Sequence, residues 1–159
     1  MKTYTLNFLV CALGKIYEDM AIPFMFFALL NNPNSHVEII VLDKNKFIND
    51  YKIEINMVAN ILGAKHFRIR NLQNPLNKNI KNTYRFFDIP IITSKYTYIL
   101  DIDIMILENI LSEYLKIWPL NNKIYCNIVR TNSYEPNLRL TGVHMVNTKL
   151  YYTDKLKKV

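Results

Sequence analysis

The sequence predicts an α/β fold, a mostly parallel sheet with helices on its flanks. Three observations lead there. Strand-length runs rich in β-branched and aromatic residues alternate with longer stretches of helical apolar spacing. Turn clusters and glycines separate these runs. The apolar run at 96–100 opens directly onto Asp101-Ile102-Asp103, a strand delivering acids to one end of a sheet.

Residues 3–11 (TYTLNFLVC) have strand composition and form the first strand. Residues 18–30 carry apolar side chains on every side and are expected as a buried helix, with Pro23 tolerated only near its start. The cluster 31–35 (NNPNS) is a turn. The apolar run at 37–42 (VEIIVL) is a second strand that ends at Asp43. Phe47, Tyr51, Ile55, Val58 and Leu62 recur at helical spacing over 46–62, and Gly63 stops that helix. Residues 66–70 alternate and form a third strand, and the Asn-rich stretch 71–82 is a loop. Residues 83–92 make a short helix cut off by Pro90. Strands follow at 96–100, 123–130 and 142–146, and the basic stretch 151–159 forms no further element. The order β-α-β-α-β-α-β is that of an α/β domain with a mostly parallel sheet. The whole of 1–159 is expected as a single domain, incomplete at its C-terminus, since nothing after residue 146 completes a sheet.

Half of the 159 residues are hydrophobic and 13% are aromatic, which excludes a disordered or low-complexity chain. The formal net charge of +7 favours polyanionic partners without choosing among nucleic acid, anionic membrane and phosphorylated small molecules. Lys and Arg are scattered, with no arginine stripe or aromatic-basic interleaving, so no nucleic-acid partner is expected. The two cysteines, Cys11 and Cys126, form no CxxC pair and read as buried thiols of a reducing compartment. The longest apolar stretch, 21–30, is half of the roughly 20 residues a membrane span needs. A signal-peptide reading of 2–13 is weakened by Asn7 and by a single preceding positive charge. A cytoplasmic protein, at most peripheral to the inner membrane face, is expected.

The chemistry concentrates in 95–110 (KYTYILDIDIMILENI). In extended backbone, residues i and i+2 project to the same side, so Asp101 and Asp103 can converge at the carboxyl end of a strand, where open α/β sheets bind ligands. Paired carboxylates repel unless a cation lies between them, and hard oxygen ligands suit Mn²⁺ or Mg²⁺ bridging to phosphate. The bland alternative is a solvated turn. Arg85 can serve phosphate or fix an aspartate; it can equally be a helix-terminal arginine. Tyr17 can stack on a base or be an ordinary amphipathic tyrosine. Asp43 can meet base or ribose, or cap the following helix. His144 can face a pocket or be a satisfied core histidine. His36 and His66, at strand starts, are expected to be solvated.

The block YILDIDIMILENI resembles the metal-binding segment of GT-A glycosyltransferases of the glycogenin and bacterial lipopolysaccharide galactosyltransferase type. Three further segments fit that resemblance: Ala12-Leu13-Gly14 followed by Tyr17, then Tyr84-Arg85-Phe86, and Arg139-Leu140-Thr141-Gly142-Val143-His144 running on to Asn147. The resemblance implies a GT-A-like fold and transfer of a sugar from a UDP-sugar to a saccharide or glycolipid acceptor. It implies Mn²⁺ or Mg²⁺ on Asp101 and Asp103, and nucleotide contacts from Ala12, Leu13, Tyr17, Asp43, Arg85, Asp101 and Ile102. Thr141, Gly142 and His144 would lie by the sugar. Three departures stand out: Leu140 replaces an Asn, His144 replaces an aliphatic residue, and the family's C-terminal HxxGxxKPW-like motif with its metal-binding histidine has no counterpart. Two alternatives remain. One is a non-catalytic nucleotide-binding remnant. The other is a haloacid-dehalogenase-type phosphatase, disfavoured by Met105 where that family has Thr or Val.

Overall fold

A computed structural model describes residues 4–73, 84–117, 125–132 and 135–153. Six strands form one sheet: β1 (Tyr4–Ala12), β2 (His36–Val41), β3 (Phe67–Asn71), β4 (Ser94–Ile99), β5 (Tyr125–Asn132) and β6 (Glu135–Asn147), in the spatial order β3-β2-β1-β4-β6-β5. The first four are mutually parallel; β6 runs antiparallel to β4, and β5 antiparallel to β6. The sheet is therefore mostly parallel, with an antiparallel hairpin closing one side. The β1–β2–β3 series steps one way from β1 and β4 lies on its other side. The topological switch point thus falls between the carboxyl ends of β1 and β4, where such sheets open a crevice.

Continuous apolar runs place β1 and β2 inside the sheet, each with a strand on both sides. All six residues of β2 are buried, as parallel strands covered on both faces require. Alternation then assigns the faces. Leu6, Phe8, Val10 and Ala12 pack with Val37, Ile39, Val41, Tyr96, Tyr98 and Leu100 under helix α1 (Lys15–Asn31). Leu9, Ile40, Ile99 and Val146 pack on the opposite face with Tyr152, and Phe86 and Ile89 cover them.

The helices depart from the sequence expectation in detail. Helix α1 begins at Lys15, so Pro23 lies in its middle rather than near its start. Pro23 is on the exposed side, and the burial of Phe24, Met25, Ala28 and Leu29 outweighs the ~3 kcal/mol typical of an interior proline. The helix expected over 46–62 breaks at Tyr51 into α2 (Lys44–Asp50) and α3 (Lys52–Val58), followed by a wide π-type turn and a short 3₁₀ turn. Gly63, at φ 91°, makes the stop that its position predicts. Helix α4 (Tyr84–Phe87) is a single turn, α5 (Ile110–Ile117) follows the acidic pair, and α6 (Thr148–Tyr151) follows β6. β5 and β6 form a longer hairpin than the separate runs at 123–130 and 142–146 suggest. Most of the Asn-rich loop expected at 71–82, and the end of the basic stretch expected at 151–159, lie outside the described residues.

The face opposite α1 holds a buried polar cluster. Glu38, in the middle of β2 and fully buried, accepts from Arg70 Nε and from the backbone amides of Ile91 and Ile92 at 3.0–3.2 Å. Arg70 donates on to Asp88 at 2.7 Å and to the Ile89 carbonyl at 3.2 Å. Asp88 also accepts from the Gln73 amide at 3.0 Å. The Asn7 amide donates to Glu38, which orients its oxygen to accept from His36 Nδ1–H at 3.1 Å. His36 is thus buried rather than solvated, and that burial, with His66 and Arg68 nearby, pushes its pKa down to about 4.

A folded-state pKa below the unfolded value of about 6.5 means that the unfolded chain binds the extra proton. His36 therefore contributes stability that is complete above pH 6.5 and is lost as pH falls toward 4, on the order of 3 kcal/mol in all. Denaturant titrations from pH 7.5 to 4 should show this loss in the wild type. The profile of His36→Gln, which removes the titration, should be flatter by about that amount.

Candidate functional site

Gly14, at φ 124°, takes a conformation that side-chain-bearing residues rarely adopt; it turns the chain from the end of β1 into α1. This sharp entry sets Leu13 and Tyr17 at the switch point. Across the crevice, β4 ends at Ile99, so the two acids lie just beyond the strand rather than in it. The Ile104 amide donates to the Asp101 carbonyl at 3.3 Å, closing a turn around Ile102. Asp101 and Asp103 share a cavity because of that turn, not through strand alternation as the sequence implies. Ile102, 5% exposed, anchors the turn in the core.

The far side of this segment is tied to α1. Asn31 Nδ2 donates to the Ile106 carbonyl at 2.9 Å, and Asn32 Nδ2 to the Glu108 carbonyl at 3.1 Å. The Ile110 amide donates back to Asn32 Oδ1 at 2.9 Å. The asparagines that mark a turn in the sequence also clamp the stretch that follows the acids.

The cavity has a volume of about 290 Å³ and is lined by Cys11, Leu13, Tyr17, Arg85, Asp101, Ile102 and Asp103. Arg85 comes from α4, on the face of the sheet opposite α1. Continuing the alternation of Thr97 and Ile99 past the strand end puts Asp101 on that same face. There Arg85 Nη1 meets Asp101 Oδ1 at 2.6 Å, with the Arg85 side chain 11% and the Asp101 side chain 37% exposed. The Arg85 guanidinium lies 5.0 Å from the Phe86 ring centre, and Phe86 meets the His144 ring edge-on at 4.8 Å. Asp103 is exposed and joins no ion pair among the described residues.

The third wall comes from β6. Ile99 pairs with His144, and continuing that antiparallel register sets Gly142 opposite Asp101. A Cβ on Gly142 would lie 1.7 Å from Asp101 Oδ2 and 3.6 Å from Arg85 Nη2. No side chain fits there, so glycine at this position is the condition for Asp101 to stand where it does.

The other sequence candidates fall in different places. Ala12 is buried in the core and does not line the cavity. Asp43 is exposed and caps α2, its Oδ1 accepting from the Lys46 amide at 3.0 Å. Thr141 lies on β6, next to Gly142. His144 is half-buried behind Arg85; burial, and then the Arg85 charge, hold its pKa below the ordinary value while Asp101 opposes them. Cys11 was not foreseen as a lining residue. Burial, reinforced by the Asp88 carboxylate, pushes its thiol up to about 12, so it lines the cavity as a neutral group. Its position one residue before the strand end was the available signal. The Glu38–Arg70–Asp88 cluster was also not foreseen; an acid inside the apolar run VEIIVL was its only mark.

A parallel sheet with its crevice at a switch point, closed by a hairpin and holding two acids past the fourth strand, is a GT-A-like α/β fold. Solved structures share it. The glycosyltransferase GlyE of Streptococcus pneumoniae TIGR4 aligns with a TM-score of 0.66 at 12% identity, over 99% of this chain and 37% of its own. The galactosyltransferase LgtC, solved in complex with donor and acceptor sugar analogs, aligns with a TM-score of 0.60 at 15% identity, over 96% of this chain and 61% of its own. A 4-diphosphocytidyl-2C-methyl-D-erythritol synthase from Anaerococcus prevotii DSM 20548 aligns with a TM-score of 0.54 at 10% identity, over 98% of this chain and 74% of its own. At these identities the likeness is one of fold, and the chain spans between a third and two thirds of the length of the two glycosyltransferases. No protein-family model and no curated protein sequence matches the chain. Among the described residues, no helix is long and apolar enough to cross a membrane.

Gly142→Ala is expected to displace Asp101 from its contact with Arg85. Ligand binding at the cavity should fall at least tenfold, while stability should fall by only about 1 kcal/mol or less, because the clash is with the movable end of a half-exposed side chain. Thermal unfolding and calorimetry on the same preparation measure the two effects separately.

Proposed function

We propose that the chain is the donor-binding part of a glycosyltransferase. It would transfer a sugar from a nucleoside diphosphate sugar, a UDP-sugar, to a saccharide or glycolipid acceptor. The observation that carries this reading is the lining of one cavity at the switch point: an aromatic ring, a guanidinium and two carboxylates. Those groups match the parts of a nucleotide sugar. Tyr17, 41% exposed at the start of α1, offers a ring face to the base. Arg85 offers charge-assisted hydrogen bonds to the diphosphate. Gly142 leaves its backbone open to close approach by the sugar, with Thr141 and His144 adjacent.

The acids suit a divalent cation. Arg85 balances one of the two carboxylates in the lining, which leaves an excess of negative charge at exposed Asp103. No group of three His, Cys, Asp or Glu side chains gathers among the described residues. Mg²⁺ and Mn²⁺ are commonly held by one or two carboxylates together with substrate phosphates, and this donor set meets that need. Asp101 and Asp103 would hold the ion, and when bound it would neutralise the charge that develops on the departing diphosphate. The chain's own residues would stack the base, grip the diphosphate and keep the acids in place. The likeness in fold to glycosyltransferases, one of them solved with donor and acceptor sugar analogs, supports the same reading.

Calorimetry with UDP and UDP-sugars should detect binding in Mn²⁺ that chelation removes. Asp103→Ala should abolish this binding. Tyr17→Ala should weaken it by the ~1–3 kcal/mol of one base–aromatic stack. Affinity unchanged by chelation, or by Asp103→Ala, would refute the metal-dependent donor site.

A further inference from the structure

The two acids of the motif look equivalent in sequence, and the structure makes them unequal. Asp101 Oδ1 receives Arg85 Nη1 at 2.6 Å, and Asp101 Oδ2 fills the space that a Gly142 side chain would need. One oxygen is therefore engaged by a counter-ion, and the other is seated against the Gly142 backbone, which leaves it little room to turn. Arg85 is itself held from behind: its guanidinium lies beside Phe86, and α4 runs directly into Asp88, which is locked to buried Arg70. Asp103 is exposed and joins no ion pair among the described residues.

An arriving divalent cation thus meets one open carboxylate and one that already has a counter-ion. To take Oδ1 of Asp101 it must displace a charge-assisted hydrogen bond, among the stronger contacts in proteins, and at either oxygen it is repelled by the guanidinium beside it. A diphosphate has the opposite preference. It is a better partner for a guanidinium than a single carboxylate oxygen is, because it offers several anionic oxygens at once. An Arg85 that turned to a diphosphate would release Asp101.

We propose that Arg85 is a built-in counter-ion that competes with the divalent cation for Asp101, and that a nucleoside diphosphate relieves this competition by drawing Arg85 to itself. The cation and the diphosphate are then taken up cooperatively through Arg85, beyond any direct contact between them. By linkage each raises the affinity for the other by the same factor. This rests on the donor-site reading above and adds to it a role for one residue. Arg85 suppresses cation binding to the empty site, so that the site charges fully only when the diphosphate is present.

The test is Mn²⁺ binding, followed by the electron paramagnetic resonance signal of the free ion, with and without UDP. It uses wild type, Arg85→Gln and Arg85→Lys, with thermal unfolding to confirm that each folds. With no UDP present, Arg85→Gln should bind Mn²⁺ about tenfold more tightly than wild type, the size of a typical coupling between linked sites. The enhancement of Mn²⁺ affinity by UDP should shrink by a similar factor. Arg85→Lys, which keeps the charge and loses the planar fork, should fall between them, and it decides the matter if Arg85→Gln does not fold. A merely structural arginine predicts the opposite sign, since its loss would loosen the site and weaken Mn²⁺. If wild type binds Mn²⁺ and both variants bind it equally or more weakly, the competition is overturned while the donor-site reading stands. If none of the three binds Mn²⁺ with or without UDP, the metal-dependent reading fails and the competition fails with it.

Discussion

Arg70 is the residue on which the site geometry depends. Its guanidinium lies between two acids, Glu38 on β2 and Asp88 after α4, with all three side chains almost wholly out of water. Removing one partner of such a cluster typically costs 3–5 kcal/mol, because the remaining charges stay buried and uncompensated. Its effect is positional as much as energetic. Glu38 takes the amides of Ile91 and Ile92, Arg70 takes the Ile89 carbonyl, and Asp88 takes the Gln73 amide. The irregular segment leading into β4 thus has its polar backbone groups satisfied by side chains rather than by a ladder. One turn of helix, too short to be stable alone, is held against the sheet by this cluster and by Phe86 and Ile89. Arg85 comes from that turn.

The cavity follows from three independent placements that meet at one point. Gly14 delivers α1 and Tyr17 from the end of β1. The turn around Ile102 sets the two acids beyond β4, and Asn31 and Asn32 hold its continuation. The antiparallel β6 brings a residue without a side chain to a place where Asp101 leaves no room for one. The sheet supplies a common edge, and the loops at that edge supply chemistry, as is usual for open α/β sheets.

Charge is distributed unevenly between chain and cavity. The chain carries a net charge of +7, which draws anionic ligands from a distance. At the cavity the balance reverses, with two carboxylates against one guanidinium. A nucleoside diphosphate carrying a divalent cation suits both fields. The neutral Cys11 thiol and the depressed basicity of His144 add no charge of their own at neutral pH.

Much of this was legible in the sequence. The alternation of strand and helix patterns and the position of the acids after an apolar strand come from local chemistry, whereas Arg85, Tyr17 and Gly142 stand out through the resemblance to GT-A glycosyltransferases. Local periodicity reports burial, and burial follows element type; one residue's hydrogen bond, as at the Asp43 cap, is likewise written within a few positions. The sequence by itself therefore determined the class of fold, the core strands and the segment that carries the acids. Only the tertiary structure decided that Asp101 is paired and Asp103 is open, that Gly142 faces an aspartate 41 residues away, that Cys11 reaches the cavity, and that Glu38 is neutralised by Arg70. Each of these is a contact between elements far apart in the chain. Its existence depends on strand order and register, and no local pattern encodes which strand will lie beside which.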